Sequence, residues 1–100
     1  MKKNARKETN SRRSAARNAL LRRAVVLQLE AADPSSVSAS IIGQGLAAAG
    51  LKASQRDVMA SLAYLEGKGL VKTFPSLLSA SEIRARLTAA GLDFVESGEF

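Results

Sequence analysis

The chain contains neither cysteine nor histidine. The first absence excludes disulfide stapling, thiolate zinc sites and cysteine nucleophiles. The second removes the commonest general base and metal ligand, so Ser-His-Asp triads and HExxH zinc chemistry are ruled out. Tryptophan is also missing, and Tyr64, Phe74, Phe94 and Phe100 are the only aromatic residues. The core of a 100-residue chain with 46% apolar content must therefore be aliphatic and thin, and one domain is all that this length supports. No apolar run is long enough to cross a membrane, because Ala24-Val-Val-Leu27 is cut off by Gln28 and Glu30. A soluble chain with no membrane partner is expected, and nothing opposes a cytoplasmic location.

Acidic residues are scarce at one end. Residues 1–23 carry Lys2, Lys3, Arg6, Lys7, Arg12, Arg13, Arg17, Arg22 and Arg23 against Glu8 alone, a net +8, while the remaining 77 residues carry a net −2. This asymmetry reads as a basic arm on a near-neutral body. Residues 1–15 lack apolar periodicity, which predicts a disordered arm, with a folded domain over 16–100.

Within that domain, Ala16, Leu20, Ala24, Leu27 and Ala31 recur at three- and four-residue spacing, with Leu21 and Val25 beside them. The spacing predicts a first helix that buries this stripe. Asp33-Pro34-Ser35-Ser36 marks a turn. Ser38 or Ser40 caps a second helix bearing Ile41, Ile42, Leu46 and Ala49, and Gly50 ends it. Ser54 and Asp57 form a variant capping box before a third helix whose Val58, Leu62 and Leu65 face inward, opposite Arg56, Ala60, Ala63 and Tyr64. After Gly69 the pattern switches to strand spacing in Leu70-Val-Lys-Thr-Phe74 and again in Ile83-Arg-Ala-Arg-Leu87, with Ile83, Ala85 and Leu87 inward and Arg84 and Arg86 outward. Thr88 caps a short last helix with Leu92, Phe94 and Val95. Three helices, two strands and a helix, with a Gly-containing turn between the second and third helices, predict a mainly α winged helix-turn-helix with a small β-hairpin.

The elements Leu46-x-x-x-Gly50-Leu51-x-x-Ser54-x-x-Asp57-Val58-x-x-x-Leu62-x-x-Leu65-x-x-x-Gly69-Leu70-Val71 and Arg86-Leu87-Thr88-x-x-Gly91 resemble those of bacterial winged-helix transcription regulators. More narrowly, residues 17–98 resemble the small ArsR-like regulators of Mu-like phages and prophages. The resemblance implies a DNA-binding regulator working in the cytoplasm of a bacterial host. It does not extend to metal sensing, because the cysteines that metal-sensing ArsR proteins use are absent.

In a helix-turn-helix the start of the second helix enters the major groove. That assigns Gln55 and Arg56 to base edges and Lys52 and Ser54 to phosphates. Lys72, Arg84 and Arg86 on the wing are placed to reach flanking backbone. Lys2, Lys3, Arg6, Lys7, Arg12, Arg13 and Arg17 would neutralise phosphates along double-stranded DNA. The same surface admits another reading, an adaptor that holds a protein partner through the Ala-rich third helix and the wing, in phage packaging or against a host machine. A homodimer contact is open to Leu20, Leu21 and Val25, or to Phe94 and Phe100. No carboxylate pairing or metal-ligand spacing points to an enzyme, a metal or a cofactor. Gly43-Gln-Gly45-Leu-Ala-Ala48 imitates a dinucleotide fingerprint without the βαβ unit that would give it meaning.

Overall fold

The computed structural model describes the backbone of residues 2–98 and the side chains of residues 14–98. Helix α1 runs Lys2–Ala32, strand β1 Val37–Ser38, helix α2 Ala39–Ala48, helix α3 Gln55–Gly67, strands β2 Val71–Pro75 and β3 Ile83–Leu87, and helix α4 Ala89–Glu96. The strands form one antiparallel sheet in the order β1-β3-β2. Helices and hairpin follow the expected order. The two-residue β1 is new, because a bridge that short has no periodicity to read.

Helix α1 differs from expectation in two ways. It is continuous across Ser14 and Ala15, where polarity places the onset of order; from Lys2 to Ala32 it contains no Gly or Pro and is rich in Ala, Arg, Lys and Leu, all good helix formers. Its buried face is Leu21, Val25, Val26 and Leu29. Of the residues expected inside, Leu21 and Val25 are buried and Ala24 packs partly on the core, whereas Leu20 is 56% and Leu27 44% exposed and Ala16 and Ala31 are exposed. Two apolar stripes run along opposite sides of one helix, and spacing alone cannot say which meets the body.

Helix α2 is capped by Ser38, whose hydroxyl accepts the Ile41 N–H at 3.3 Å. It buries Ile42 and Leu46, whereas Ile41 and Ala49, expected with them, are exposed. A turn containing Gly50 at φ +83° leads to α3. There Ser54 and Asp57 close a reciprocal capping box, with Ser54 N–H to Asp57 Oδ2 at 3.0 Å and Asp57 N–H to Ser54 Oγ at 3.1 Å. Each bond satisfies a backbone donor that the first turn would otherwise leave open. Val58, Ser61, Leu62 and Leu65 face the core. Helix α3 ends at Lys68 and Gly69, the latter at φ +76°, and the chain enters β2 at once.

The core is aliphatic, as the composition requires, with Leu62, Ile42, Leu46, Val58, Val71, Ala85 and Leu87 closing on the inner face of α1. Thr88 caps α4, accepting the Gly91 N–H at 3.0 Å and donating to the Gly69 carbonyl at 2.7 Å.

Candidate nucleic-acid interface

The first turn of α3 presents Gln55 and Arg56 outward, both exposed, and Lys52 in the preceding turn is exposed as well. Ser54 is exposed but its oxygen is engaged as the helix cap. Met59 is 39% exposed one turn further along, on the same side as Gln55, followed by exposed Ala60 and Ala63. Sequence reading missed Met59. Its position four residues after Gln55 and three after Arg56 was the signal that places it on their surface.

Arg17 does not hang free as part of a phosphate-binding arm. Its guanidinium donates to the Lys52 carbonyl and to Asp57 Oδ2, the latter at 3.2 Å. The Ser54 N–H first, and then Arg17, hold the Asp57 carboxyl below its usual pKa. Asp57, which would otherwise repel phosphate, thus has its charge offset by Arg17. Five residues along α1, the Arg22 guanidinium stacks over the Tyr64 ring, 4.1 Å from its centroid. The two contacts fix direction: α1 runs alongside α3 in the same sense, and the residues before Arg17 lead past the end of α3 that carries Gln55 and Arg56. The side chains of Lys2, Lys3, Arg6, Lys7, Arg12 and Arg13 lie outside the described residues.

The wing cations separate. Arg84 is engaged within the chain: its Nε donates to Ser36 Oγ and its Nη2 to the Ser36 carbonyl, both at 2.8 Å. Pairing of β1 with β3 brings the Ser36 backbone beside it, so Arg84 fastens the third strand to the hairpin. Lys72 and Arg86 are exposed and lie opposite each other across β2 and β3. They share the sheet face turned away from Val71, Ala85 and Leu87. The wing loop, residues 76–82, holds no cation, and its Leu77 and Leu78 are fully exposed.

Between the start of α2, the first turns of α3 and the wing lies an open groove of about 510 Å³ lined by Ser40, Gln55, Met59, Ser81 and Glu82. Glu82 accepts from the Ser40 hydroxyl at 3.2 Å. Gln55 leans over Gly43, where an added Cβ would sit 2.8 Å from Gln55 Nε2. At the other end of α3, Glu66 accepts the Thr73 N–H at 2.8 Å and the Thr73 hydroxyl at 2.9 Å. Those two bonds, the N–H first, lower its pKa and tie α3 to β2. Among the described residues there is no acidic cluster able to hold a metal, and no helix long and apolar enough to cross a membrane.

A helix-turn-helix with a doubly capped second helix, followed directly by a hairpin that a third short strand extends, is a winged helix. The fold is shared with solved transcription regulators. A PadR-like transcription factor from Bacteroides fragilis superposes with a TM-score of 0.69 at 23% identity, over 89% of this chain and 85% of that one. The S. aureus MepR–DNA complex gives 0.67 at 15% identity, over 96% and 77%. A mutant MepR from a multidrug-resistant S. aureus clinical isolate gives 0.62 at 20% identity over 73% of this chain, which spans about half (49%) of that protein's length. No protein-family model matches the chain, and no curated protein matches its sequence. The winged-helix expectation is met. The narrower likeness to phage ArsR-like proteins gains no support from these regulators.

Proposed function

We propose that the chain is a winged-helix DNA-binding protein with no catalytic step. The first turns of α3 enter the major groove. Arg56 is suited to a guanine edge and Gln55 to an adenine edge, and Met59 offers apolar contact to a thymine methyl. Lys52 and Ser54 meet adjacent phosphates, and the basic segment before Arg17 follows the backbone. Lys72 and Arg86 serve backbone outside the central groove. The observation that carries the reading is the outward, capped start of α3 with the basic segment leaving the body at that same end. The fold similarity to a MepR–DNA complex supports it. A transcriptional role in a phage or prophage, and hence a cytoplasmic setting, rests on the sequence resemblance.

A second reading has its own observations. Leu77 and Leu78 stand fully exposed at the wing tip, and Glu82 sits in the groove beside Gln55. Apolar tips and a carboxylate suit a protein partner better than a polyanion. Titrating the full chain against a duplex at two salt concentrations separates the two. Binding that weakens steeply with salt is expected. Absence of binding even at low salt would leave the adaptor as the function.

A further inference from the structure

The outer stripe of α1 is left largely uncovered by the fold, with Leu20, Leu27 and Ala31 exposed and Ala24 half-buried. Leu20, Ala24, Leu27 and Ala31 follow one another at spacings of four, three and four, on the side of α1 opposite Val25, Val26 and Leu29. With Leu20 and Leu27 taken as d positions, Ala24 and Ala31 are a positions, and Arg23 and Glu30 both fall at g, on one flank. That flank opens onto a groove of about 820 Å³ lined by apolar Leu20, Leu65 and Phe94 together with the cations Arg22, Arg23 and Lys68. Stripe and groove meet at Leu20.

We infer that a second copy of this chain packs antiparallel along this stripe. Two features select the occupant and its direction. Large and small residues alternate, so antiparallel pairing sets Leu20 against Ala31 of the partner subunit and Ala24 against the partner subunit's Leu27. Every level then has one leucine and one alanine, and the helix separation is even. Parallel pairing would set leucine on leucine and alanine on alanine, crowding some levels and leaving voids at others. Charge agrees. In an antiparallel helix pair, g positions face g positions, which brings Arg23 beside the partner's Glu30, twice by symmetry. In a parallel pair, g faces e, and Arg23 would meet Gln28 of the partner subunit, which carries no charge. The contact is isologous, closing after two copies. The opposite flank of α1 is held by its own body, where Gln28 Nε2 donates to the Ile42 carbonyl at 3.1 Å.

The test is sedimentation equilibrium of the full chain without DNA, so its outcome is independent of the proposed function. Wild type is expected to be a dimer. Arg23→Glu and Glu30→Arg should each weaken it by about tenfold or more, since two pairs are broken in each case. The doubly reversed chain, Arg23→Glu with Glu30→Arg, should return to within about threefold of wild type, an outcome that loss of folding cannot imitate. Leu27→Glu should give a monomer that melts where wild type diluted to monomer melts, because Leu27 makes no part of the core. Because the chain has no cysteine of its own, mixed Leu20→Cys and Ala31→Cys chains should cross-link to each other in preference to themselves. A monomer at all concentrations, a dimer indifferent to the charge reversals, or Leu20→Cys chains that cross-link among themselves would overturn the inference.

Discussion

Replacing Gly91 with alanine is expected to destabilise the domain by about 3 kcal/mol or more, out of a total of about 5–15 kcal/mol for a domain. A Cβ built at Gly91 would lie 2.0 Å from the Leu70 carbonyl oxygen and 2.9 Å from the Leu70 carbonyl carbon. Both are backbone atoms that cannot rotate away. The same oxygen accepts the Thr88 N–H at 3.0 Å, so moving Leu70 breaks the junction between the end of α3, the hairpin and α4. This close approach gives the Leu87-Thr88-x-x-Gly91 element its physical meaning: Leu87 fills the core, Thr88 caps α4 and ties it to Gly69, and Gly91 lets α4 lie against the backbone entering β2. The matched control is Gly67→Ala, where the added carbon meets nothing within 4 Å and helix propensity favours alanine by up to about 1 kcal/mol. Urea unfolding followed by circular dichroism should move the two midpoints in opposite directions. Equal midpoints would mean that α4 is not held in this way.

The second large effect concerns DNA. Changing Lys2, Lys3, Arg6, Lys7, Arg12 and Arg13 together to glutamine should reduce duplex affinity at about 50 mM salt by about a thousandfold. The slope of log affinity against log salt should flatten by up to about 5, near 0.9 for each phosphate left without its cation. Arg17 is left intact on purpose, because its bonds to Lys52 and Asp57 position α3, and its removal would confuse tethering with reading. The measurement is fluorescence anisotropy over a salt series. An unchanged slope would remove the basic segment from the interface.

Much of the fold was legible because its signals are local. The capping box at Ser54 and Asp57, the glycine after α3 and the alternation in Ile83-Arg-Ala-Arg-Leu87 each depend on near neighbours, and each lands within a residue or so of its expected place. What sequence misjudged depends on tertiary contact. Alanine and leucine stripes on the two sides of α1 are equivalent until the body chooses one, and it chose the side with Val25, Val26 and Leu29. Arg84 looks like a solvent-facing strand cation until β1 brings Ser36 to it. Arg17 looks like part of a basic arm until the turn at Lys52 folds beneath it. Met59 was passed over because an exposed methionine on a helix carries no charge or cap to mark it. The candidate site was therefore less legible than the fold. The helix proposed to carry it forms where expected, while Arg17 and Arg84 bond within the chain and Met59 shares the surface of Gln55 and Arg56.

Whether the start of α3 reads base pairs is decided by selecting duplexes from a random pool. Wild type should enrich a short motif with guanine at a position that Arg56→Ala no longer selects, while affinity for unselected DNA stays within about threefold, because the loss of one bidentate pairing costs about 1–3 kcal/mol on the matched base alone. Enrichment of the same motif by both proteins, or of none by either, would mean that α3 does not read sequence and would leave the basic segment as a salt-sensitive tether.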